Sequence, residues 1–443
     1  MRIIVYLVLL LILAPGTGSA QVPHTTSSVD AETYRLWLDR DWDGLLRTGN
    51  EALEQGIDFY YLRYRMGIAW YEKKNYHQAV RHFRSAWKSD TDNDVLKEYL
   101  YYALRFSGRD YEAAHLEDSF SRQMKTRLAL PENRGLQRVY LAYAYNPGAP
   151  SLAVDRVDSE TAAEGFQSVS KAYHLINAGI EHRAGSRTWL HHSYTHIQRS
   201  FYFFQNQEGQ RFQNPDGKIY VNQYYLGATT LIKDGLDVRL GFHFIHLLDY
   251  QNRASFFGGR QQMTSVAVTD QNYAGFASLH RRGRYLTTTL TIYGGNLNDA
   301  VQYQQDAAMI FYPFGNLNLY SRSALSHQSE KTAEGSWRNQ FVLQQGLGLK
   351  LADRVWVEAD AVFGEIRNFF ASDGVVVYND TDAINRKYGT ALHAVLSSHM
   401  QLRLDFVFTD KTSFFVPSQT GFQTPDPIDY QTRSLTVTIL WKR

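Results

Sequence analysis

The sequence predicts an α-helical domain followed by an antiparallel transmembrane β-barrel of about 14 strands. Three observations carry this. Helical spacing with self-similarity runs from Ala31 to Leu130, a two-residue alternation takes over from Leu136, and the connections between alternating segments are short and long by turns. The composition agrees. Among 443 residues there are 30 Tyr and 25 Phe, while charged residues make up only 20%. A barrel with an apolar outside, a polar lumen and aromatic rims has that balance; a soluble enzyme seldom does. The formal net charge of +2 argues against nucleic acid, which demands a concentrated basic face.

The first 20 residues read as a secretory signal. Arg2 supplies the charge, Ile3 to Ala14 the apolar run, and Gly18 and Ala20 the small residues before cleavage after Ala20. Residues 21–31 read as a linker. The chain has no Cys, so disulfides and a lipidated cysteine are both excluded. Beyond the signal no run of roughly 18 apolar residues occurs, so membrane insertion requires strands.

Within residues 32–130 the clearest unit contains Gly67, Trp70, Tyr76, Ala79, Phe83 and Ala86. Small residues stand where two helices approach closely, and large ones fill the remaining gap. About 34 residues earlier, Trp42, Leu45, Gly49 and Ala52 repeat the second half of the pattern. The same distance onward, Leu104, Gly108, Tyr111, Ala113 and Ala114 repeat it loosely, with Glu117 and Phe120 at the last two large-and-small positions, as in a capping unit. The pattern resembles the tetratricopeptide (TPR) repeat. That resemblance implies stacked helix pairs with a groove for a periplasmic protein partner, for which Tyr60, Tyr61, Arg63, Tyr64, Tyr99, Tyr101 and Tyr102 offer contact surface, several of them being core. A spacer without a partner is the blander reading.

Residues 136–443 alternate. Leu435, Val437, Ile439 and Trp441 form one face against Ser434, Thr436 and Thr438; Leu236, Val238, Leu240 and Phe242 oppose Asp237, Arg239, Gly241 and His243. A soluble sandwich also alternates, so connection length decides. Tight turns at 184–186, 233–235, 282–283, 313–315, 352–353 and 397–399 interleave with longer connections such as Gln205 to Gly217, Gln251 to Asp270 and Asn368 to Asn385. Brief periplasmic turns and extended surface loops produce that order, and an even strand count returns both barrel ends to the periplasm. The segments run roughly 10 to 16 residues, enough for a tilted crossing. Phe201 to Phe204, Tyr224 with Tyr225, Phe311 with Tyr312, and Phe369 with Phe370 suit aromatic girdles next to outer-membrane lipid. The alternation points Glu181, Arg183, Asp237, Arg239, His243, Glu358, Asp360, Arg403 and Asp405 into the lumen, where mixed charge more often forms salt-bridged walls than a selective site.

The two-part arrangement resembles the surface lipoprotein assembly modulators and the exopolysaccharide-export porins. It implies export or surface assembly of a macromolecular client. A passive porin tethered to a periplasmic complex is the alternative. A lipid-ester hydrolase would use His191, His192, Ser193 and His196, but neighbours on a strand point to opposite faces, so His192 and Ser193 cannot pair. No cofactor or metal set is expected.

Overall fold

The computed structural model describes residues 25–130, 135–150, 164–207, 210–257, 260–298, 300–331, 335–379, 382–418, 424 and 426–443. The expected signal over residues 1–20 and the helix-closing Pro131 lie outside them. Among the described residues seven α-helices come first: α1 (Thr26–Leu38), α2 (Trp42–Glu54), α3 (Tyr60–Glu72), α4 (Tyr76–Trp87), α5 (Asp94–Phe106), α6 (Asp110–Leu116) and α7 (Arg122–Arg127). Helix therefore starts inside the stretch expected as linker over 21–31, because Thr25 and Ser28 form a capping box.

Helices α2, α4 and α6 open at residues 42, 76 and 110, and α3 and α5 at 60 and 94, a constant step of 34 residues. The turns keep the same phase. Arg40, Lys74 and Gly108 are left-handed, with φ of 56°, 57° and 74°. The amides that follow, on Asp41, Asn75 and Arg109, donate to the carbonyls of Leu36, Trp70 and Leu104. Packing explains the small residues. The Phe83 ring fills the notch over Gly67, where a Cβ would sit 2.5 Å from it, and Met66 fills the notch over Gly49. Ala79, Phe83 and Ala86 are fully buried, Trp70 packs between the two helical cores, and Tyr76 lies against Tyr71 and Phe106. In the third unit α6 ends after two turns, and Phe120 packs on Tyr101 at 5.6 Å.

The rest of the chain closes into a barrel. Strands β1 (Leu136–Asn146), β2 (Gly165–Arg183), β3 (Thr188–Gln207), β4 (Gln210–Lys233), β5 (Leu236–Phe257), β6 (Arg260–Arg282), β7 (Leu286–Leu297), β8 (Ala300–Phe311), β9 (Leu319–Lys331), β10 (Trp337–Ala352) and β11 (Val355–Ile366) pair in chain order. After the short β12 (Phe369–Ala371) and β13 (Val376–Tyr378) come β14 (Ala383–Val395), β15 (Met400–Ser413), the two-residue β16 (Val416–Pro417) and β17 (Ile428–Lys442). β1 pairs with β2 on one edge and β17 on the other, so fourteen antiparallel strands form a closed ring. Strands β2 to β6 run 19 to 24 residues, well beyond the expected lengths. The connections expected as open at 205–217 and 251–270 are thus largely strand, with Gln207 opposite Gln210 and Phe257 opposite Arg260. A paired ladder satisfies backbone groups whether or not side chains alternate, so it continues past the hydrophobic pattern.

The two faces of the wall are inverted relative to a soluble protein. Outward Leu240, Leu290, Ile292 and Phe341 are 54%, 60%, 62% and 63% exposed, whereas inward Asp237, Asn272 and Gln302 are fully buried. An apolar belt around a polar interior is the signature of a transmembrane barrel. We expect Leu290→Arg, on that belt, to destabilise the barrel by about 2–4 kcal/mol, read as a lowered urea midpoint for protein folded in lipid vesicles. An unchanged midpoint would remove Leu290 from the lipid-facing belt.

Candidate functional site

The nine interior candidates fall into three groups rather than one site. At the turn-side mouth, Glu181 accepts from the Tyr111 hydroxyl at 2.5 Å, and Arg183 pairs with Asp118 and lies over the Trp189 ring. In the turn-side third of β5, buried Asp237 pairs with Arg282 and Arg239, Arg239 pairs with Asp373 at 2.7 Å, and His243 Nδ1 contacts the Gly374 carbonyl at 2.8 Å. On another wall, Glu358 pairs with Arg403 at 2.9 Å and Arg322 at 3.3 Å and accepts from Tyr320, while Arg403 also pairs with Asp405 at 2.8 Å. Asp360 stands beside Gly389 and Gly346, where the missing side chains leave room for it.

The second group exists because of an element absent from the sequence reading. The segment Asn368 to Asn385, expected as a surface loop, sends the β12–β13 hairpin into the barrel. Its tip, Ser372-Asp373-Gly374, has three successive left-handed residues with φ of 54°, 53° and 72°. Such a tip persists only if surrounding contacts hold it. They do: Asp373 accepts from Arg239 and from the Ser278 hydroxyl at 3.0 Å, its carbonyl accepts from the Tyr225 hydroxyl at 3.2 Å, and His280 lies 3.4 Å away. Further back, Gln304 exchanges two hydrogen bonds with the Phe370 backbone, at 2.7 and 3.0 Å, and Gln328 donates to the Asn368 carbonyl at 2.6 Å. Phe370 is fully buried against Tyr293. Phe369 and Phe370 are therefore interior plug residues, not girdle; short apolar runs either side of an Asp-Gly turn were the available hairpin signal. The other aromatic pairs split by alternation. Tyr224 and Phe311 face out, while Tyr225 and Tyr312 are buried.

The helical domain seats on the turn end. His77 donates its amide to the Gly315 carbonyl at 3.0 Å, Asn316 donates to the Lys74 carbonyl at 2.9 Å, and Gln78 to the Tyr285 hydroxyl at 3.3 Å. Helix α6 supplies the densest contacts. Tyr111 packs on Trp189 at 4.9 Å, Asp110 pairs with Lys442 at 2.6 Å and Arg138 at 3.1 Å, and Glu112 pairs with Arg109 at 2.6 Å while accepting from the Gly235 amide at 3.1 Å. Glu117, at the position where the repeat has Phe, pairs with Arg443 at 2.9 Å. Burial opposes ionisation of Asp110 and Glu112, but Lys442, Arg138 and Arg105 around the first and Arg109, Arg84 and Arg282 around the second hold both carboxyls below their ordinary range.

The four residues weighed for hydrolysis do not assemble. Ser193 and His191 face the interior, where the His191 ring contacts the Tyr140 hydroxyl at 3.2 Å. His192 and His196 are on the outer face, bonded to Tyr224 and Asn222 at 2.7 and 2.9 Å. Among the described residues no cluster of three or more His, Asp or Glu is placed to hold a metal.

Fold and interior together define an outer-membrane β-barrel with a helical domain fixed to its turn side. No protein family's profile matches the chain, and no curated protein does. Solved structures similar to it include a Pseudomonas aeruginosa FadL homologue (10% identity, TM-score 0.41, covering 69% of this chain and 90% of that one) and the Pseudomonas putida toluene transporter TodX (8%, 0.44, 71% and 92%). The translocator domain of the autotransporter NalP from Neisseria meningitidis is a third (13%, 0.30, 75% and 98%). None of these likenesses assigns a role to a residue here.

Two outcomes follow from the contacts. The chain lacks Cys, so a single cysteine at Phe370→Cys reports on the hairpin. Adding Asp373→Asn, which removes one charged partner worth about 1–3 kcal/mol, should speed its modification by a membrane-impermeant thiol reagent about tenfold or more. Equal rates would mean that the tip pair does not hold the hairpin. At the interface the His77 ring is buried against Tyr312. Burial, with Arg109 nearby, pushes its pKa down to about 4. The ring is held neutral, so its contribution to docking is complete above the ordinary value of about 6.5 and lost as pH falls towards about 4. The urea midpoint for release of the helical domain should fall over that window, and His77→Phe should flatten it.

Proposed function

We propose that this protein exports, or assembles at the cell surface, a macromolecular client captured on the periplasmic side by TPR-type helix pairs. The observation that carries the reading is a division of faces in the helical domain. Its exposed large apolar side chains, Tyr34, Leu38, Tyr61, Val95 and Phe106, all lie on α1, α3 or α5, the first helix of each pair. These helices neighbour one another. Arg65 spans two of them, its guanidinium over the rings of Tyr34 at 5.2 Å and Tyr61 at 5.4 Å. Tyr101, offered by the sequence as contact surface, is core. The second helices α4 and α6 are committed to the barrel, so the aromatic face is the one left for a partner. Aromatic and Arg side chains on an exposed face are the residues that dominate protein interfaces. The 34-residue step and its left-handed turns favour the TPR assignment. An interior occupied by a hairpin disfavours free diffusion of solutes as the main activity.

The test is Tyr34→Ala with Tyr61→Ala in the full chain. We expect the barrel to insert normally while one surface molecule is lost and a photocrosslink from position 38, on the same face and 57% exposed, to a periplasmic protein disappears. An unaltered surface inventory would leave the passive barrel as the better reading.

A further inference from the structure

A cavity of about 360 Å³ lies inside the barrel, between the β12–β13 hairpin and the wall from β14 round to β4. Its flanks are apolar, with Ile197, Val221 and Val407 on the wall facing Val376 and Val377 on the hairpin. They continue into a buried cluster around Ile245 and Phe370. Barrel interiors are normally polar, so this apolar patch, set among Asn177, Thr195, Gln223 and Thr409 on the same wall, favours an occupant with an apolar part. The lining also carries three cations, Arg199, Lys387 and Lys411, and no carboxylate among the described lining residues. The interior acids Asp360 on β11 and Asp405 on β15 lie closer to the turn end but near enough to act on the Lys387 charge, and Asp382, bonded by the Tyr430 hydroxyl, is buried just before β14.

Two adjacent hairpin residues gather two of the cations. The Tyr378 hydroxyl accepts from Lys387 Nζ at 3.0 Å, and the Asn379 carbonyl accepts from an Arg199 Nη at 3.0 Å. The Asn379 side-chain amide lines the same cavity with Oδ1 and Nδ2 both buried and without a hydrogen-bond partner among the described residues. A buried amide left unpaired is costly, and a ligand head group that can bond it relieves the cost.

We propose that this cavity binds a single-chain amphiphile with an anionic head group. The alkyl chain lies against Ile197, Val221 and Val376, and the head, a carboxylate or a phosphate ester, meets Lys387, Arg199 and the Asn379 amide. The volume stands at the lower end of small-molecule sites and suits one chain rather than a two-chain lipid.

The experiment uses the full chain in lipid nanodiscs and a decanoate carrying an aliphatic diazirine. After photolysis, labelled peptides are mapped in the presence of decanoate, decyl phosphate or decanol as competitor. We expect label on the peptides containing Ile197, Val221 and Val376. One of the two anions should compete best, which identifies the head group, and decanol should need about tenfold more, the value of one charge-assisted hydrogen bond. Lys387→Gln should lower interior labelling about tenfold. Val376→Trp, which fills the cavity, should abolish it while heat-resistant migration of the folded barrel is kept; if that variant does not fold, Lys387→Gln carries the test. Label confined to outer-face peptides such as those of Leu240 and Leu290, equal competition by decanol, or labelling indifferent to Lys387→Gln would each overturn the proposal.

Discussion

β1 is hydrogen-bonded along both edges, to β2 from Asn146 down to Leu136 and to β17 from Tyr145 to Arg138. In hydrocarbon each unpaired backbone group costs several kcal/mol, so a sheet can cross a bilayer only if it has no edge. That one double pairing removes both edges. It also fixes everything else about the wall, because a closed ring has only a lipid side and an enclosed side. A strand shifted by one residue would exchange them completely. Leu290 and Thr291 are adjacent in sequence, yet the first is 60% exposed on the outer belt and the second 3% exposed inside.

Enclosure then sets the terms for the polar side chains. A charge placed inside cannot borrow bulk water, so it is paired or it destabilises. The interior is accordingly organised around shared carboxylates: Asp237 between Arg239 and Arg282, and Glu358 between Arg322 and Arg403. Arg239 is shared in turn with Asp373, so the seat of the hairpin and the turn-side ion pairs belong to one network. Energies in such a network are not additive. The hairpin is held by the same currency that stabilises the wall, which is why it lies deep in the barrel rather than above it.

Much of this was legible. The period-two pattern of Leu236 to His243 and of Leu435 to Trp441 follows directly from one buried and one lipid-facing side, and tight turns such as Lys233-Asp234-Gly235 mark one end of the ring. The 34-residue step was visible in Gly67, Ala79 and Phe83 because close helix approach restricts residue size. What escaped had no local signature. The lengths of β3 to β6 depend on partner backbones rather than side chains, so Gln205 to Gly217 read as loop. The inward turn of Asn368 to Asn385 depends on Arg239, His243, Ser278 and Gln304, contributed by strands far away in sequence. Interior Ile197, Val221 and Ile245 break the polar rule, but only the presence of Val377 and Phe370 opposite them gives that departure a meaning.

Helix α6 ties the two halves into one object. Seven residues are too few to hold a helix by propensity alone, since nucleation is costly and short helices are marginal in water. Its stability comes from the barrel instead, through Asp110 on Lys442 and Arg138, Tyr111 on Trp189 and Glu181, and Glu112 on the Gly235 amide. The helical repeat therefore ends where the barrel begins, with Glu117 bonded to Arg443 instead of filling a helical core. Because α6 packs on α5, and α5 on the earlier pairs, the orientation of every preceding helix is inherited from the barrel mouth. The aromatic face bearing Tyr34, Tyr61 and Phe106 is consequently held in a fixed relation to the ring of strands rather than on a flexible tether. Such a fixed relation removes the ordering cost that a flexible tether would carry.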